Sequence, residues 1–560
     1  MRLPWSRCRC RYDLGGKLGY NDRVFSSNPY WNPHALPRFP VFAKGGMVAT
    51  TAPLASQAGI EVLRDGGNAI DAAVAAAAAL TVVEPTANGI GGDAFALIWS
   101  GGKLHGLNAS GPAPRGISID KLERAGHKEM PRHGWAPVTV PGVPAAWAEA
   151  SRRFGALPLT QTLHRAVEYA RNGFALGAST AAIWDRSFEL YKRVLQHEQY
   201  ESWFRTFAPS GQAPTAGSVW SSPDHATTLE SIAETGAASF YQGELAKRIG
   251  EYSRAFGGYI TVEDLAGFAP QWVQPIRINY RGYDVWELPP NGQGLIVLMA
   301  LGMLNRYSFS GRDNIDTYHL AIEAMKLSMT DGIRYITDPD AMDVSVQSLL
   351  AEEYLAQRRS CIDRRARQPE PGAPQKGGTV YLATADNKGN MVSWIQSNYE
   401  DFGSGLVVPG TGIALQNRGS TFTLDRDHPN CLAPGKRTYH TIIPGFVSRG
   451  DEPVGPFGIM GGFNQPQAHL QVVMNMVDFD YNPQASLDAP RWRWLQDRTV
   501  LVERHFPTHL ADELLRRGHE IQVAVDPAEF GRGQIIHRDP ETGVLMGGTE
   551  SRADGHIATC

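Results

Sequence analysis

The sequence predicts a layered α/β protein, with helices covering stacked sheets. Three observations predict it. Beyond Thr379, short apolar runs between Gly, Asn and Pro turns dominate: 379–385, 391–397, 413–416, 440–447, 456–460, 499–502, 521–524, 533–537 and 544–547. Helical patterning fills much of the chain before Thr379, above all over 140–270. Two further helices are expected near 466–477 and 507–517, where they can flank the sheets. The chain has 560 residues, 42% hydrophobic and 20% charged, which suits a globular protein with a large core.

Taken in order, residues 1–40 are rich in Arg, Asn, Pro and aromatics without periodicity and read as an extension. Met47–Thr50 reads as a short strand, and Ala52–Arg64 as a helix stopped by Gly66 and Gly67. Asn68 is positioned to cap the next helix, from Ala69 to about Val82. Its alanine cluster, Ala72 to Ala79, argues for close packing, and Glu84-Pro85 ends it. Gly89-Ile90-Gly91-Gly92 turns into a strand through Trp99, paired with a second near Leu104–Leu107. A dinucleotide loop would need these glycines after a strand and before a helix, so the order argues against one. Two strands surround Gly282 within 276–288. Helices follow at Leu295–Leu304 and Thr317–Met329, and no internal repeat is found.

The net charge of -4 leaves no basic stripe for nucleic acid. The longest mainly apolar run, Ala72 to Val83, is too short to span a bilayer, which takes about 20 residues. The first twenty residues carry no apolar signal region. Cysteines 8, 10, 361, 431 and 560 are odd in number and scattered, which argues against a disulfide framework or a zinc site. Reduced thiols in a cytoplasmic protein are expected.

The chain is organised around Gly377-Gly378-Thr379. A polar, Pro-rich run, 364–374, leads into it, and a strand–turn–strand signal around Asp386-Asn387-Lys388-Gly389-Asn390 follows. A β-branched Thr suits a strand start. A hydroxyl beside a Gly-flexible peptide bond can also attack that bond. The chain then splits, and the freed α-amine of Thr379 becomes the base that activates its own hydroxyl.

Other residues could join it. Gly461-Gly462 follows a strand and precedes a helix, so its N–H groups could form an oxyanion hole, or the pair could be a plain turn. Ser397, Asn398 and Tyr399 end the strand expected to pair with that of Thr379. Ser397 could bond the nucleophile or cap the strand. Asn417 and Arg418 could anchor an anion, or Arg418 could form a surface ion pair. His440 could touch substrate or be structural. No His/Asp/Glu set shows metal-ligand spacing, and no cofactor is expected.

Together, Gly66-Gly67-Asn68-Ala69-Ile70-Asp71, Glu84-Pro85…Gly89-Ile90-Gly91-Gly92, Val140-Pro141-Gly142, Glu323-Ala324-Met325-Lys326-Leu327, Gly378-Thr379, Phe402-Gly403-Ser404-Gly405 and Met460-Gly461-Gly462 resemble the gamma-glutamyltransferase family of N-terminal nucleophile hydrolases. The resemblance runs from about Ala43 to the end, and is strongest to glutathione hydrolase-like and oxamate amidohydrolase-like proenzymes. It implies a four-layer αββα sandwich made as a precursor and cut between Gly378 and Thr379. A large segment, 41–378, and a small segment, 379–560, would then form one unit, which could pair as a dimer of heterodimers. It implies Thr379 as nucleophile and base, Gly461 and Gly462 as the oxyanion hole, and Ser397 as a second hydroxyl. The acyl group would pass to water or to an amino acceptor.

The chain departs from that family at the grip on glutamate. The expected carboxylate-binding Arg aligns with Ser110, and Arg115, the nearest arginine, lies beyond two prolines. The expected amine-binding Asp aligns with Thr421, and the carboxylate-holding serine pair with His440 and Thr441. Tyr399 and Arg418 complete the candidate substrate contacts. Losing charge-assisted bonds of ~1.5–3 kcal/mol each should weaken glutathione binding strongly. Two alternatives follow: an amidase for a small non-glutamyl amide such as oxamate, and an uncleaved binding homologue.

Overall fold

A computed structural model describes residues 38–369 and 378–560. Two seven-stranded sheets form its centre. The first runs, in spatial order, His556–Thr559, Gly46–Thr50, Gly378–Asp386, Met391–Tyr399, Asp93–Ser100, Lys103–Ala109 and Gln271–Val273. The second runs Val41–Ala43, Leu545–Thr549, Arg532–Arg538, Glu452–Met460, Gly445–Arg449, Tyr283–Glu287 and Ile276–Tyr280. Neighbours are antiparallel throughout both. Each sheet therefore takes strands from both sides of Gly378–Thr379.

The sheets pack face to face. Trp99 of one stacks on Phe446 of the other, with ring centroids 5.8 Å apart. At Gly458 the fit requires a glycine, because a Cβ there would sit 2.4 Å from the Tyr381 ring. Strands buried on both faces explain the nearly unbroken apolar runs 379–385 and 391–397.

A helical layer covers each outer face, completing the αββα order. Helix Ala69–Val83 is buried along its whole length, which is why it is mostly alanine. Asn68 caps it as expected, in a reciprocal capping box with Asp71. Polar contacts fix it to the first sheet. Thr384 Oγ1 donates to the Ala69 carbonyl at 2.7 Å, and Gln396 Nε2 donates to the Ala77 carbonyl at 2.8 Å. On the other face lie the fully buried helix Gly294–Leu304, Ile315–Tyr335 and Gln465–Val477.

The turn of the Thr379 hairpin forms where the sequence placed it. Asp386 Oδ1 accepts the N–H groups of Lys388 and Asn390 at 2.9 and 3.0 Å, and Gly389 supplies a φ of 84°. Two expected strands differ. Residues 413–416 make only isolated bridges, Val407 to Ala414 and Gly91 to Leu415, because Gly410 and Gly412 at φ 65° and 69° bend the chain into a loop. The strand expected over 440–447 begins at Gly445. Before it, the His440 N–H bonds Asn291 O, the Ile443 N–H bonds the Gln465 side chain, and Pro444 has no N–H to give. Nearly all of the 1–40 extension, residues 370–374 of the Pro-rich run 364–374, and Gly377 lie outside the described residues.

Candidate active site

Thr379 sits at an irregularity in the centre of the first sheet. Gly378 pairs with Tyr399, but Val380 pairs with Gln396. Two residues of the partner strand, Ser397 and Asn398, therefore face one residue, Thr379, in a β-bulge that re-aims side chains. Thr379 Oγ1 donates to Ser397 Oγ at 3.2 Å, and Ser397 Oγ also accepts the Tyr399 N–H at 2.8 Å. All three side chains are buried. Just beyond, Tyr399 and Asp401 hold positive φ values of 79° and 40°, the kind of strain that clusters at functional sites.

Gly89 to Gly92 pack against this bulge instead of cradling a nucleotide. A Cβ on Gly89 or Gly92 would come within 2.9 Å of the Asn398 amide, and one on Gly91 within 2.3 Å of the Ala414 carbonyl. Asp93 follows directly and organises the next shell. Its Oδ1 accepts from Gly111 N at 3.1 Å and Gln416 Nε2 at 2.9 Å. Its Oδ2 lies 2.9 Å from His440 Nε2. Burial, helped by the Arg418 charge, holds the His440 ring neutral by lowering its pKa to about 4, against the pull of Asp93. His440 thus spends its Nε2 on Asp93, and the Ile442 N–H points at its Nδ1.

Arg418 is completely buried, its guanidinium 4.4 Å from the Tyr399 ring centroid. Burial lowers its pKa to about 10, opposed by Asp93. Its Nη1 donates to Thr441 Oγ1 at 2.7 Å. Its Nε and Nη2 have no hydrogen-bond partner. Thr421 faces away, its Oγ1 within 2.9 Å of Arg418 O, Tyr439 O and Thr438 Oγ1. Ser110 bonds Asn108 and Asn291.

Gly461 and Gly462 adopt φ values of 146° and 58°, which turn the chain sharply from strand Glu452–Met460 into helix Gln465–Val477. Gln293 Nε2 bridges the Gly462 and Thr441 carbonyls, and Tyr439 OH closes on Gln293 Oε1 at 2.7 Å. Gly461 borders a cleft of about 350 Å³, with Glu400 and Asp401 on its wall. Burial pushes the Glu400 carboxyl up to about 7, against the charge of Arg132.

The fold thus joins Thr379, Ser397 and Tyr399 by hydrogen bonds, and links Tyr399 through Arg418, Thr441 and Gln293 to Gly462. Sequence reasoning placed Asn398 beside Thr379 and missed Asp93, Gln293, Gln416 and Glu400. The one available signal was the position of Asp93 beside the Gly89–Gly92 run.

The sequence reading found no metal-ligand set, yet the fold gathers His319, Glu323 and His519. Lys326 Nζ occupies Glu323 Oε1 at 2.7 Å, and the Arg367 N–H takes Oε2 at 3.3 Å. His319 spans His519 Nε2 and the Asp363 carbonyl at 2.9 and 2.7 Å. Lys326 also bonds the Arg367 carbonyl. A cation there would have to displace the ammonium, so the cluster fits an anchor for residues 363–367 better than a metal centre.

Known proteins resemble the chain over most of its length. The family model for gamma-glutamyltranspeptidase matches residues 55–560. The chain is 36% identical over 523 residues to the glutathione hydrolase-like YwrD proenzyme of Bacillus subtilis, covering 91% of this chain and 97% of that one. It is 37% identical over 527 residues to the oxamate amidohydrolase proenzyme of Klebsiella pneumoniae, covering 92% and 98%. The crystal structure of cephalosporin acylase from Bacillus halodurans superposes with a TM-score of 0.93 at 56% identity, covering 95% and 99%.

Proposed function

The chain belongs to the gamma-glutamyltranspeptidase family, and from that premise we propose that it is an autoprocessed amidohydrolase whose nucleophile is Thr379. One observation carries the assignment of the nucleophile: the buried Thr379 hydroxyl, at a bulge on a central strand, bonded to Ser397. In processing, Thr379 Oγ attacks the Gly378 carbonyl carbon, and the peptide C–N bond breaks as an ester forms. Water cleaves the ester, leaving the Gly378 carboxylate and a free Thr379 amine. In turnover, that amine takes the hydroxyl proton as Oγ attacks the substrate amide. The N–H groups of Gly461 and Gly462 stabilise the oxyanion. The leaving amine departs with the proton, and water, or an amine in transfer, releases the acyl group from Thr379. Ser397 holds the hydroxyl in line. The two chains of the cut precursor stay together as one sandwich.

No helix among the described residues is long and apolar enough to cross a membrane. Cys361, Cys431 and Cys560 are free thiols, which fits a reducing compartment such as the cytoplasm.

The test is the intact mass, under denaturing conditions, of the wild type beside Thr379→Ala. The expected result is two chains meeting at Gly378/Thr379 in the wild type and one chain in the variant. A single wild-type chain would remove the amine the mechanism needs.

A further inference from the structure

Resting on the reading of Gly461 and Gly462 as oxyanion donors, we propose that Gln293 is the positioning residue that presets their turn, and that Tyr439 in turn sets Gln293. The argument starts from the two glycines. Their φ values of 146° and 58° lie where glycine is free to move and other residues are not. An oxyanion hole works only if its donors are fixed before charge develops. Two successive glycines have no side chains with which to fix themselves, so the hold has to come from outside the turn.

Gln293 supplies it. Its side chain has no exposure to solvent, and each group of its amide is spent on a defined partner. Nε2 donates one hydrogen to Gly462 O at 2.9 Å and the other to Thr441 O at 2.5 Å. Oε1 accepts from Tyr439 OH at 2.7 Å. Two carbonyls meet one end of the amide and a phenol the other. Turning the amide by 180° would set oxygen against oxygen, so one orientation is enforced. The Gln293 N–H donates to His440 O at 3.0 Å, and the residue opens the fully buried helix Gly294–Leu304. The clamp therefore stands on a rigid element.

The strand side of the turn is held in parallel. His469 Nε2 accepts the Ile459 N–H at 3.1 Å, two residues before Gly461. Its ring proton is then on Nδ1, which donates to Glu287 Oε1 at 2.9 Å. The Tyr439 ring stacks on Phe463, the residue after Gly462, with centroids 5.4 Å apart. Contacts at Ile459, Gly462 and Phe463 thus bracket the glycine pair, and that of Gln293 falls on a glycine itself. If Gln293 only filled space, its loss would lower stability and leave kcat of the folded enzyme unchanged.

The test uses processed enzyme, with γ-glutamyl and glutaryl 4-nitroanilide as probes, and amide hydrogen exchange over residues 460–464. Gln293→Met should lower kcat about tenfold or more with KM within about twofold, short of the roughly hundredfold loss of a whole oxyanion donor. Tyr439→Phe keeps the ring on Phe463 and removes only the hydroxyl, so kcat should fall about fivefold. Both act through one amide, so the double variant should be no slower than Gln293→Met alone. Exchange over 460–464 should quicken in both single variants, while strand Met391–Tyr399 keeps its wild-type protection. A loss carried by KM, losses that multiply in the double variant, or unchanged exchange at the turn would overturn the proposal. Exchange needs no turnover, so Tyr439→Phe decides the matter even if Gln293→Met fails to fold or neither anilide is cut. Unchanged kcat in Gly461→Ala, with exchange still quickened by Gln293→Met, would count against the oxyanion reading and for the hold on the turn.

Discussion

Two buried charge clusters, one around Asp93 and one around Glu323, look alike in composition and differ in closure. Each holds a carboxylate, a long cation and histidine out of solvent. Around Glu323 the Lys326 ammonium and both carboxylate oxygens are spent within the chain, leaving only His519 Nδ1 without a partner. Around Asp93 the carboxylate is spent as well, but a whole edge of Arg418 is left open. Composition alone would rank the two equally. The closed cluster anchors residues 363–367, and the open one keeps two unpaired donors on Arg418.

The largest effect expected bears on the open side. Thr379→Ala should abolish both processing and turnover, while Thr379→Ser should retain both at reduced rates, read by denaturing mass and an amidase assay. Matched substitutions then set the clusters against each other. Lys326→Met strands a buried carboxylate and should lower stability by about 3–5 kcal/mol in urea melts. Arg418→Met removes a poorly compensated charge and should leave the melt within about 1–2 kcal/mol of wild type while turnover falls. If the two variants exchanged these outcomes, the distinction between anchor and site would be wrong. Gly461→Ala would force a side chain onto φ 146°, its Cβ 3.1 Å from Gly531 Cα. A loss of about 1–3 kcal/mol and a fall in kcat of roughly a hundredfold should follow. Ser397→Ala removes the acceptor of both the Thr379 hydroxyl and the Tyr399 N–H and should slow turnover by about tenfold and lower stability by about 1–3 kcal/mol.

The smallest and most distributed effect is on pH. Burial lowers the pKa of His225, His440 and His537 to about 4, and of His469 and His519 to about 3, from an ordinary 6.5. Below pH 6.5 the unfolded chain binds protons that the folded chain refuses, so stability should fall as pH drops from 6.5 toward 4. Glu400, raised from 4.5 to about 7, and Asp401, raised from 3.8 to about 6, both by burial, act in the opposite sense. Urea midpoints measured from pH 7 to pH 4 should decline, and Glu400→Gln should steepen the decline.

Much of the fold was legible because its signals are local. The Asp386–Asn390 turn fixed the hairpin, the Asn68 cap and alanine run fixed the buried helix, and the run after Gly377-Gly378 read as a central strand. The loops that build the grip were not legible, since their order comes from distant partners. Asp93 meets Gln416 and His440 across 323 and 347 residues, and the Gln293 bridge to Gly462 spans 169. Thr421 aligned with a family position yet turned inward, because alignment fixes a place on the chain and not the direction of a hydroxyl.

The strand order carries a consequence for the life of the protein after processing. Strand Gly378–Asp386 lies between Gly46–Thr50 and Met391–Tyr399, and both sheets contain strands from both segments. Before the cut, every pairing is a loop closure within one molecule. After it, the pairings that cross between the segments, such as Gly46–Thr50 with Gly378–Asp386 and Met391–Tyr399 with Asp93–Ser100, join two molecules, so refolding becomes second order and slows with dilution, while the native state loses no contact. The scission would therefore work as a ratchet: a chain able to find its structure unaided would become a pair that keeps the structure only as long as it never lets go.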